Sequence, residues 1–289
     1  MNRITYWLFR GAILLFSILP FRVIYWLSDG LAFLLHRVIR YRYRVTLTNI
    51  QKSFPNKSEQ EIQAIIKGSY QNLADIIVES LKGYTLTTEE LIQRFKITYP
   101  PSLKTYLEES RSVMVVAGHY ANWEWGAFCG GLQTPKLVLC YYKPIKNKFI
   151  DAYYRKHLEG RNMINVPMKS AARAFMKNKN KPLIHLLVAD QSPTIRNKAI
   201  WIDFLNQDTA CLNGVEKLAI KFDYPVFFMH FIRKKRGWYD VQLEEIFANP
   251  KETQPSEITK GFMKTLEQDI VHKPEDWLWS HRRWKKQRN

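Results

Sequence analysis

The sequence is short of cysteine, of acidic residues and of uninterrupted apolar stretches, and each shortage removes a class of protein. Its three cysteines, Cys129, Cys140 and Cys211, are odd in number and widely separated in a chain of 289 residues. They fit neither a disulfide framework nor a metal-ligand spacing, so each reads as a buried small apolar side chain in a reducing compartment. The seven histidines are scattered and none has H-x-x-x-H spacing with an acidic partner, so no metal site is expected. Asp and Glu number 26 against 44 Lys and Arg, which leaves a formal charge of +18. Such a chain seeks polyanions, whether nucleic acid, anionic headgroups or an acidic protein. Helix-turn-helix, RNA-binding strand and zinc signatures are missing, and an apolar leader is out of place in a nucleic-acid binder, so no nucleic-acid partner is expected.

The apolar stretch Gly11 to Leu27 is interrupted by Arg22 and contains Ser17 and Pro20, and a second run, Leu31 to Leu35, follows Asp29. A span needs roughly 20 apolar residues. Residues 1–40 are therefore expected to be membrane-associated, either crossing once or lying in the interface as an in-plane or re-entrant helix. No small-residue cleavage site ends the run, so it does not read as a secretory leader. Arg37, Arg40, Arg42 and Arg44 follow at once. By the positive-inside bias they place the remainder on the cytoplasmic side, and they can hold anionic headgroups.

What is present is a chain 46% apolar and 14% aromatic, enough for a sizeable core without disulfides. Residues 45–95 read as helical, with Ser58 and Glu61 forming a capping box before an amphipathic run to about Leu81. Beyond residue 113 strands and helices alternate. Strands are expected at Val113–Ala117, Leu137–Tyr142, Leu183–Ala189, Ala199–Phe204, Val226–Ile232 and Tyr239–Ile246. Helices are expected at Asn147–Leu158, around Ala171–Met176, and at Leu212–Lys221 and Ser256–His272. The alternation predicts an α/β fold with a mixed, largely parallel sheet covered by helices over residues 41–289.

The chemistry concentrates at one strand end. After Val113 to Ala117, Gly118 lets the chain turn, His119 follows, and Asn122 is placed to cap a helix that carries Glu124 in its first turn. An imidazole and a carboxylate thus meet where α/β sheets collect ligands, beyond the carboxyl ends of strands. Histidine titrates near neutrality and can take a proton from an attacking alcohol, while a carboxylate on its other nitrogen holds the tautomer and stabilises the imidazolium. A catalytic pair of His119 as base and Glu124 as its orienting partner is expected. The bland alternative is a buried His with Glu124 merely favouring a helix N-terminus.

Gly118-His119-Tyr120-Ala121-Asn122-Trp123-Glu124 resembles the G-H-[FY]-x-N-W-E block of the bacterial lipid A biosynthesis acyltransferases, a branch of the lysophospholipid acyltransferase superfamily with its H-x-x-x-x-[DE] signature. Further blocks follow in order. Arg44 to Pro55 is similar to an early R-x-x-x-x-x-N-[LI]-x-x-[SA]-F-P block, and Glu79 matches a recurrent family glutamate to which no role can be given. Tyr142-Lys143-Pro144 with Asn147, then Arg155 and Gly160, resembles a Y-[RK]-P-x-x-N block and the helix after it. Lys143 stands where many members have Arg, which keeps the charge and loses bidentate phosphate geometry. Asp190-Gln191 matches a D-Q pair, and Asp203 to Gly214, with Thr209 at its polar position, matches a further block. Lys273 to Trp284 fits the terminal P-E-x-[WY]-L-W-x-H-[RK]-R-[FW]. Trp277 and Trp279 there could sit at a lipid–water interface or pack on the sheet, and His281 reads as structural.

The resemblance implies a glycerolphosphate-acyltransferase-like fold and transfer of a fatty acyl group from a thioester, on acyl carrier protein or coenzyme A, with no other cofactor. The implied acceptor is a hydroxyl of a phosphorylated glycolipid, a lipid A precursor of lipopolysaccharide biosynthesis. A lysophospholipid or amino-acid lipid is the alternative acceptor within the superfamily. The implied place is the cytoplasmic face of the inner membrane, with anionic lipids and acyl carrier protein as partners. Implied substrate contacts are Asn122, Lys143, Asn147, Arg155, Asp190, Gln191 and Thr209. Lys143 and Arg155, or backbone N–H groups of the helix after His119, would meet the oxyanion or the acceptor phosphates.

Overall fold

A computed structural model of the chain describes residues 2–193, 199–286 and 288. At its centre is a seven-stranded sheet in the order β1-β9-β8-β2-β5-β3-β4. The strands are β1 (Phe95–Thr98), β2 (Val113–Ala117), β3 (Val138–Tyr142), β4 (Met163–Pro167), β5 (Ile184–Val188), β8 (Val226–Lys235) and β9 (Trp238–Phe247). Every neighbouring pair is parallel except the hairpin β8–β9. The central strand β2 is buried at all five positions, between β5 on one side and β8 on the other. Full burial of each of its Val or Met side chains favours the folded state by about 1.5–3 kcal/mol, so its register is strongly specified.

The expected strands and helices are all present, and two short strands, β1 and β4, join them at the sheet's edges. The segment expected as a strand from Ala199 lies outside the main sheet. It forms a separate antiparallel hairpin, β6 (Ile200–Phe204) with β7 (Gln207–Cys211). Its two-residue turn, Leu205-Asn206, has both residues at positive φ, the type I′ geometry that matches strand twist.

The largest helix is α4 (Glu59–Gly83), opened by the Ser58–Glu61 capping box. Three α-helices precede it, α1 (Asn2–Ile18), α2 (Phe21–Phe33) and α3 (Tyr43–Ser53). Pro20 in extended conformation separates α1 from α2. Of the two arrangements expected for residues 1–40, the crossing helix is absent: no helix among the described residues is long and apolar enough to cross a membrane. The helices are tied to α4 instead. Ser28 Oγ donates to Asp75, Tyr25 Oη donates to Glu79, and Lys82 Nζ donates to the carbonyls of Ser17 and Leu19. The last pair places a cation on the orphan carbonyls at the C-terminal end of α1. The outer faces stay apolar: Trp7, Leu8, Ile18, Trp26 and Phe33 are 62–76% exposed.

The remaining helices are α5 (Thr88–Arg94), α6 (Pro101–Glu108), α7 (Trp123–Cys129), α8 (Lys148–Glu159), α9 (Ala171–Asn178), α10 (Gly214–Phe222) and α11 (Glu257–His272). All three cysteines are free and buried. Trp277 and Trp279 are 2% and 1% exposed, so of their two readings the structure selects packing.

Candidate active site

The loop that carries His119 leaves the carboxyl end of β2. Gly118 was expected to supply the turn through its conformational freedom, but the left-handed residue is Ala121, at φ 45°. Gly118 is required for a different reason. A Cβ there would lie 2.6 Å from the Leu266 side chain of α11, which packs directly on the loop. The strained Ala121 is held from outside: its N–H donates to the Asp276 carbonyl at 2.8 Å, and the Leu278 N–H donates to the His119 carbonyl at 3.1 Å. Tyr120 and Trp277 form a short antiparallel bridge between the same two segments. The C-terminal block is therefore a clamp on the histidine loop.

Asn122 then caps α7, its side-chain oxygen accepting from the Trp125 N–H at 2.9 Å. Its amide nitrogen donates to Glu79 at 2.6 Å. That carboxylate also accepts from the hydroxyls of Tyr239 at 2.7 Å and Tyr25 at 3.0 Å, and Trp125 Nε1 donates to the Glu79 carbonyl at 2.9 Å. Glu79, for which the sequence offered no role, is the post that fixes the start of α7 to α4, β9 and α2. Burial pushes its carboxyl above the ordinary range, while Arg233 and its donors pull the other way.

The partner of the imidazole is Asp190, not Glu124. Strand β5 runs beside β2 in parallel, with Ala117 opposite Val188, so the residues that follow each strand emerge together. Asp190 Oδ1 lies 2.5 Å from His119 Nδ1, and Oδ2 accepts the His119 backbone N–H at 3.0 Å and Trp277 Nε1 at 2.9 Å. Although burial alone would raise it, the charge of His119 and these donors hold the Asp190 carboxyl well below the usual range. An ionised carboxylate only accepts, so Nδ1 carries the proton and Nε2 presents its lone pair. Gln191 Nε2 is 3.0 Å from that lone pair and donates to it. Burial lowers the affinity of the imidazole for a second proton, but Asp190 and then Glu124 outweigh it, and the net direction is upward.

Glu124 was expected to orient the imidazole through a hydrogen bond, and no hydrogen bond joins it to His119 among the described residues; its influence on the ring is electrostatic. Trp123 Nε1 donates to it at 3.2 Å, and the Trp123 ring meets the imidazole edge-on at 5.2 Å. Burial raises the Glu124 carboxyl above its usual range, opposed by the charge of His119 and the Trp123 hydrogen bond. Its charge is felt in turn by Tyr84, Tyr154 and Cys140, a thiol that burial pushes up to about 12. Glu124 is thus in electrostatic reach of both the imidazole and Tyr154 of α8 and Cys140 of β3.

Of the other residues singled out from the sequence, Asp190 and Gln191 meet on His119, while the Asn122 side chain is turned to Glu79 and the Trp125 N–H. Lys143 is exposed in the loop after β3. Asn147 caps α8 and donates its amide to the Asn2 carbonyl at 2.8 Å, joining α8 to α1. Arg155 pairs with Asp151 at 3.4 Å. Thr209 is fully buried, its hydroxyl donating to the Gln207 carbonyl and accepting from Trp284 Nε1. Asp151 escaped the sequence reading; it accepts from Tyr142 Oη and the Ile145 N–H and so shapes the loop between β3 and α8. His281 lies within electrostatic reach of Asp190 and His119, and burial lowers its imidazole to about 4, which keeps it neutral.

An acid–base pair at the carboxyl ends of two adjacent parallel strands, its Nε2 lone pair met by the Gln191 amide, can activate a hydroxyl that takes the place of that amide. The sequence profile of the bacterial lipid A biosynthesis acyltransferases matches residues 1–286. The chain is 22% identical over 285 residues to the lipid A biosynthesis palmitoleoyltransferase of Escherichia coli (strain K12), covering 96% of this chain and 90% of that protein. It is 23% identical over 286 residues to the lipid A biosynthesis lauroyltransferase of the same strain, with the same coverage. With its fold and its His119 loop in place, the chain is an acyltransferase and belongs to the bacterial lipid A biosynthesis acyltransferase family.

Proposed function

We propose that this acyltransferase moves a fatty acyl chain from a thioester, carried on acyl carrier protein, to a hydroxyl of a phosphorylated lipid A precursor. His119 Nε2 takes the proton as the acceptor oxygen attacks the thioester carbonyl carbon. The C–S bond then breaks and the imidazolium returns the proton to the departing sulfur. Asp190 keeps the proton on Nδ1 and stabilises the imidazolium. Glu124 adds a second negative charge toward the ring without touching Nδ1. Gln191 marks the position of the incoming hydroxyl, since its N–H already occupies the Nε2 lone pair.

The net charge of +18 supports both an acidic carrier and a phosphorylated acceptor. The exposed apolar faces of α1 and α2, with exposed Arg3 and Arg22 on those helices and exposed Arg37 and Arg40 just after them, support contact with an anionic bilayer on the cytoplasmic side. The observation that carries the reading is the His119–Asp190 pair, with Gln191 on Nε2 in the place an acceptor hydroxyl would take. The test is mass spectrometry of lipid extracts from cells making the protein or its His119→Ala variant. The wild type is expected to add one acyl group to a disaccharide phosphate, and the variant, equally abundant and folded, to add none. Undiminished acylation by the variant, or acylation confined to a glycerophospholipid, defeats the proposal.

A further inference from the structure

Helix α1 packs against α8 and leaves an open groove between them of about 600 Å³, lined by Tyr6, Arg10, Phe149, Tyr153, Lys156 and His157. A space of this size between two packed helices is far larger than a water-sized void, and interiors leave few of those. Its chemistry is mixed in an ordered way. Tyr6, Phe149 and Tyr153 form an aromatic wall, with Tyr6 5.9 Å from Phe149 and 6.5 Å from Tyr153. Arg10 lies over the Tyr153 ring at 4.4 Å and reaches Tyr6 Oη with one terminal nitrogen, but its buried Nε has no hydrogen-bond partner. His157 Nε2 is buried and unpartnered as well. Among the described residues no carboxylate stands within ion-pair distance of Arg10 or Lys156. Arg3, over the Phe149 ring at 5.8 Å, adds a further cation at the same end. Cations without counter-ions beside an apolar wall call for an anionic amphiphile rather than for an acidic peptide, because the outer side of α1 continues the groove with exposed Ile4, Trp7 and Leu8.

We infer that this groove is a binding site for one anionic glycerophospholipid of the membrane, its phosphate on Arg10 and Lys156 and an acyl chain along Tyr6, Phe149 and Tyr153. The site rests on the membrane contact proposed above and lies apart from the reacting atoms. Tyr84 closes its inner end, 5.4 Å from Tyr153, 4.9 Å from His157 and 5.6 Å from Phe9, and it is the Tyr84 phenol that feels the charge of Glu124. A lipid held there fastens α1 to α8, a junction otherwise pinned by the Asn147–Asn2 hydrogen bond.

The full chain would be bound to phosphatidylcholine vesicles carrying a phosphatidylglycerol with a photoreactive group in its acyl chain, illuminated, digested and mapped by mass spectrometry. Labelling of Phe149 and Tyr153 is expected to exceed that from an equivalent phosphatidylcholine probe by about thirtyfold, the preference that two basic residues near an anionic surface confer. The double variant Arg10→Gln, Lys156→Gln should lose this preference, and Ala152→Trp, which enlarges a small side chain that also lines the groove, should lose the labelling with both probes. Labelling of Trp26 and Phe33 should be unchanged in every variant. Equal labelling of the groove by the two probes overturns the inference, as does a preference that survives the double variant. Displacement of the probe by the phosphorylated acceptor in step with its acylation also overturns it, since the groove would then be the acceptor site. Absence of labelling from the groove with Trp26 and Phe33 labelled removes the groove alone; absence of labelling everywhere removes the membrane contact as well.

Discussion

Two glutamates near the Asn122 cap are treated oppositely: Glu79, buried on α4, and Glu124, half-buried in the first turn of α7. Glu79 accepts from Asn122, Tyr25 and Tyr239, so its carboxylate is saturated by groups from three separate elements. Glu124 has one donor, the Trp123 indole, and faces a histidine with which it shares no hydrogen bond. A saturated buried carboxylate is a joint, because its oxygens are spent on fixing neighbours; an under-bonded one keeps its electrostatic influence available for a charge that appears only during reaction. Asp190 combines the two conditions: it is saturated, yet one of its partners is the ring that changes protonation state.

Exchanging these carboxylates one at a time should separate the roles. Asp190→Asn is expected to have the largest effect, a fall in kcat of about 10³–10⁴-fold, since the amide can present its N–H to Nδ1 and favour the wrong tautomer. The pH profile gives the sign. The neutral imidazole is the working form and Asp190 raises its pKa, so the wild-type rate climbs with pH through a value above that of ordinary histidine. In the variant the acid limb should move to lower pH while the maximum drops. The same pair governs stability. The depressed Asp190 contributes above the ordinary aspartate pKa and is lost as pH falls through its folded value. The raised His119 contributes below about pH 6.5 and is lost as pH rises through its folded value. Chemical denaturation across pH should find both slopes diminished in Asp190→Asn.

Glu79→Ala comes next and acts on the fold. It strands the Asn122 amide and two tyrosine hydroxyls, and a loss of about 3–5 kcal/mol is expected in urea unfolding. An unchanged midpoint would break the contrast between joint and reserve. Glu124→Gln should do the reverse, reducing kcat by about 10–100-fold while leaving the unfolding midpoint in place, because one weak hydrogen bond is all it surrenders. Thr209→Val should be smallest: about 1 kcal/mol of stability from the lost Gln207 and Trp284 hydrogen bonds, with activity per folded molecule unaltered.

The parts of this arrangement encoded by neighbouring residues could be read from the sequence. The all-apolar β2, the Asn122 cap and the Ser58–Glu61 capping box each depend on residues a few positions apart. The choice of carboxylate could not, because it depends on strand order. Glu124 is five residues from His119 and Asp190 is 71, and it is the parallel pairing of β5 with β2 that brings the distant one in. The D-Q pair drew notice, but as an acceptor contact. Trp277 and Trp279 were ambiguous for a related reason, since an indole suits a bilayer edge or an interior equally well until its N–H partner is known, here Asp190 for one and the Pro274 carbonyl for the other. Short edge strands such as β1, with only Phe95 fully buried, carry too little periodicity to stand out.

The clamp on the histidine loop has a bearing on how the enzyme is made. Asp276, Trp277 and Leu278 emerge from the ribosome after every strand of the sheet, so until they dock, Ala121 has no carbonyl for its N–H and Asp190 lacks its indole donor. A polypeptide stopped before these residues would carry every strand of the sheet and yet lack the contacts that hold the histidine loop in shape.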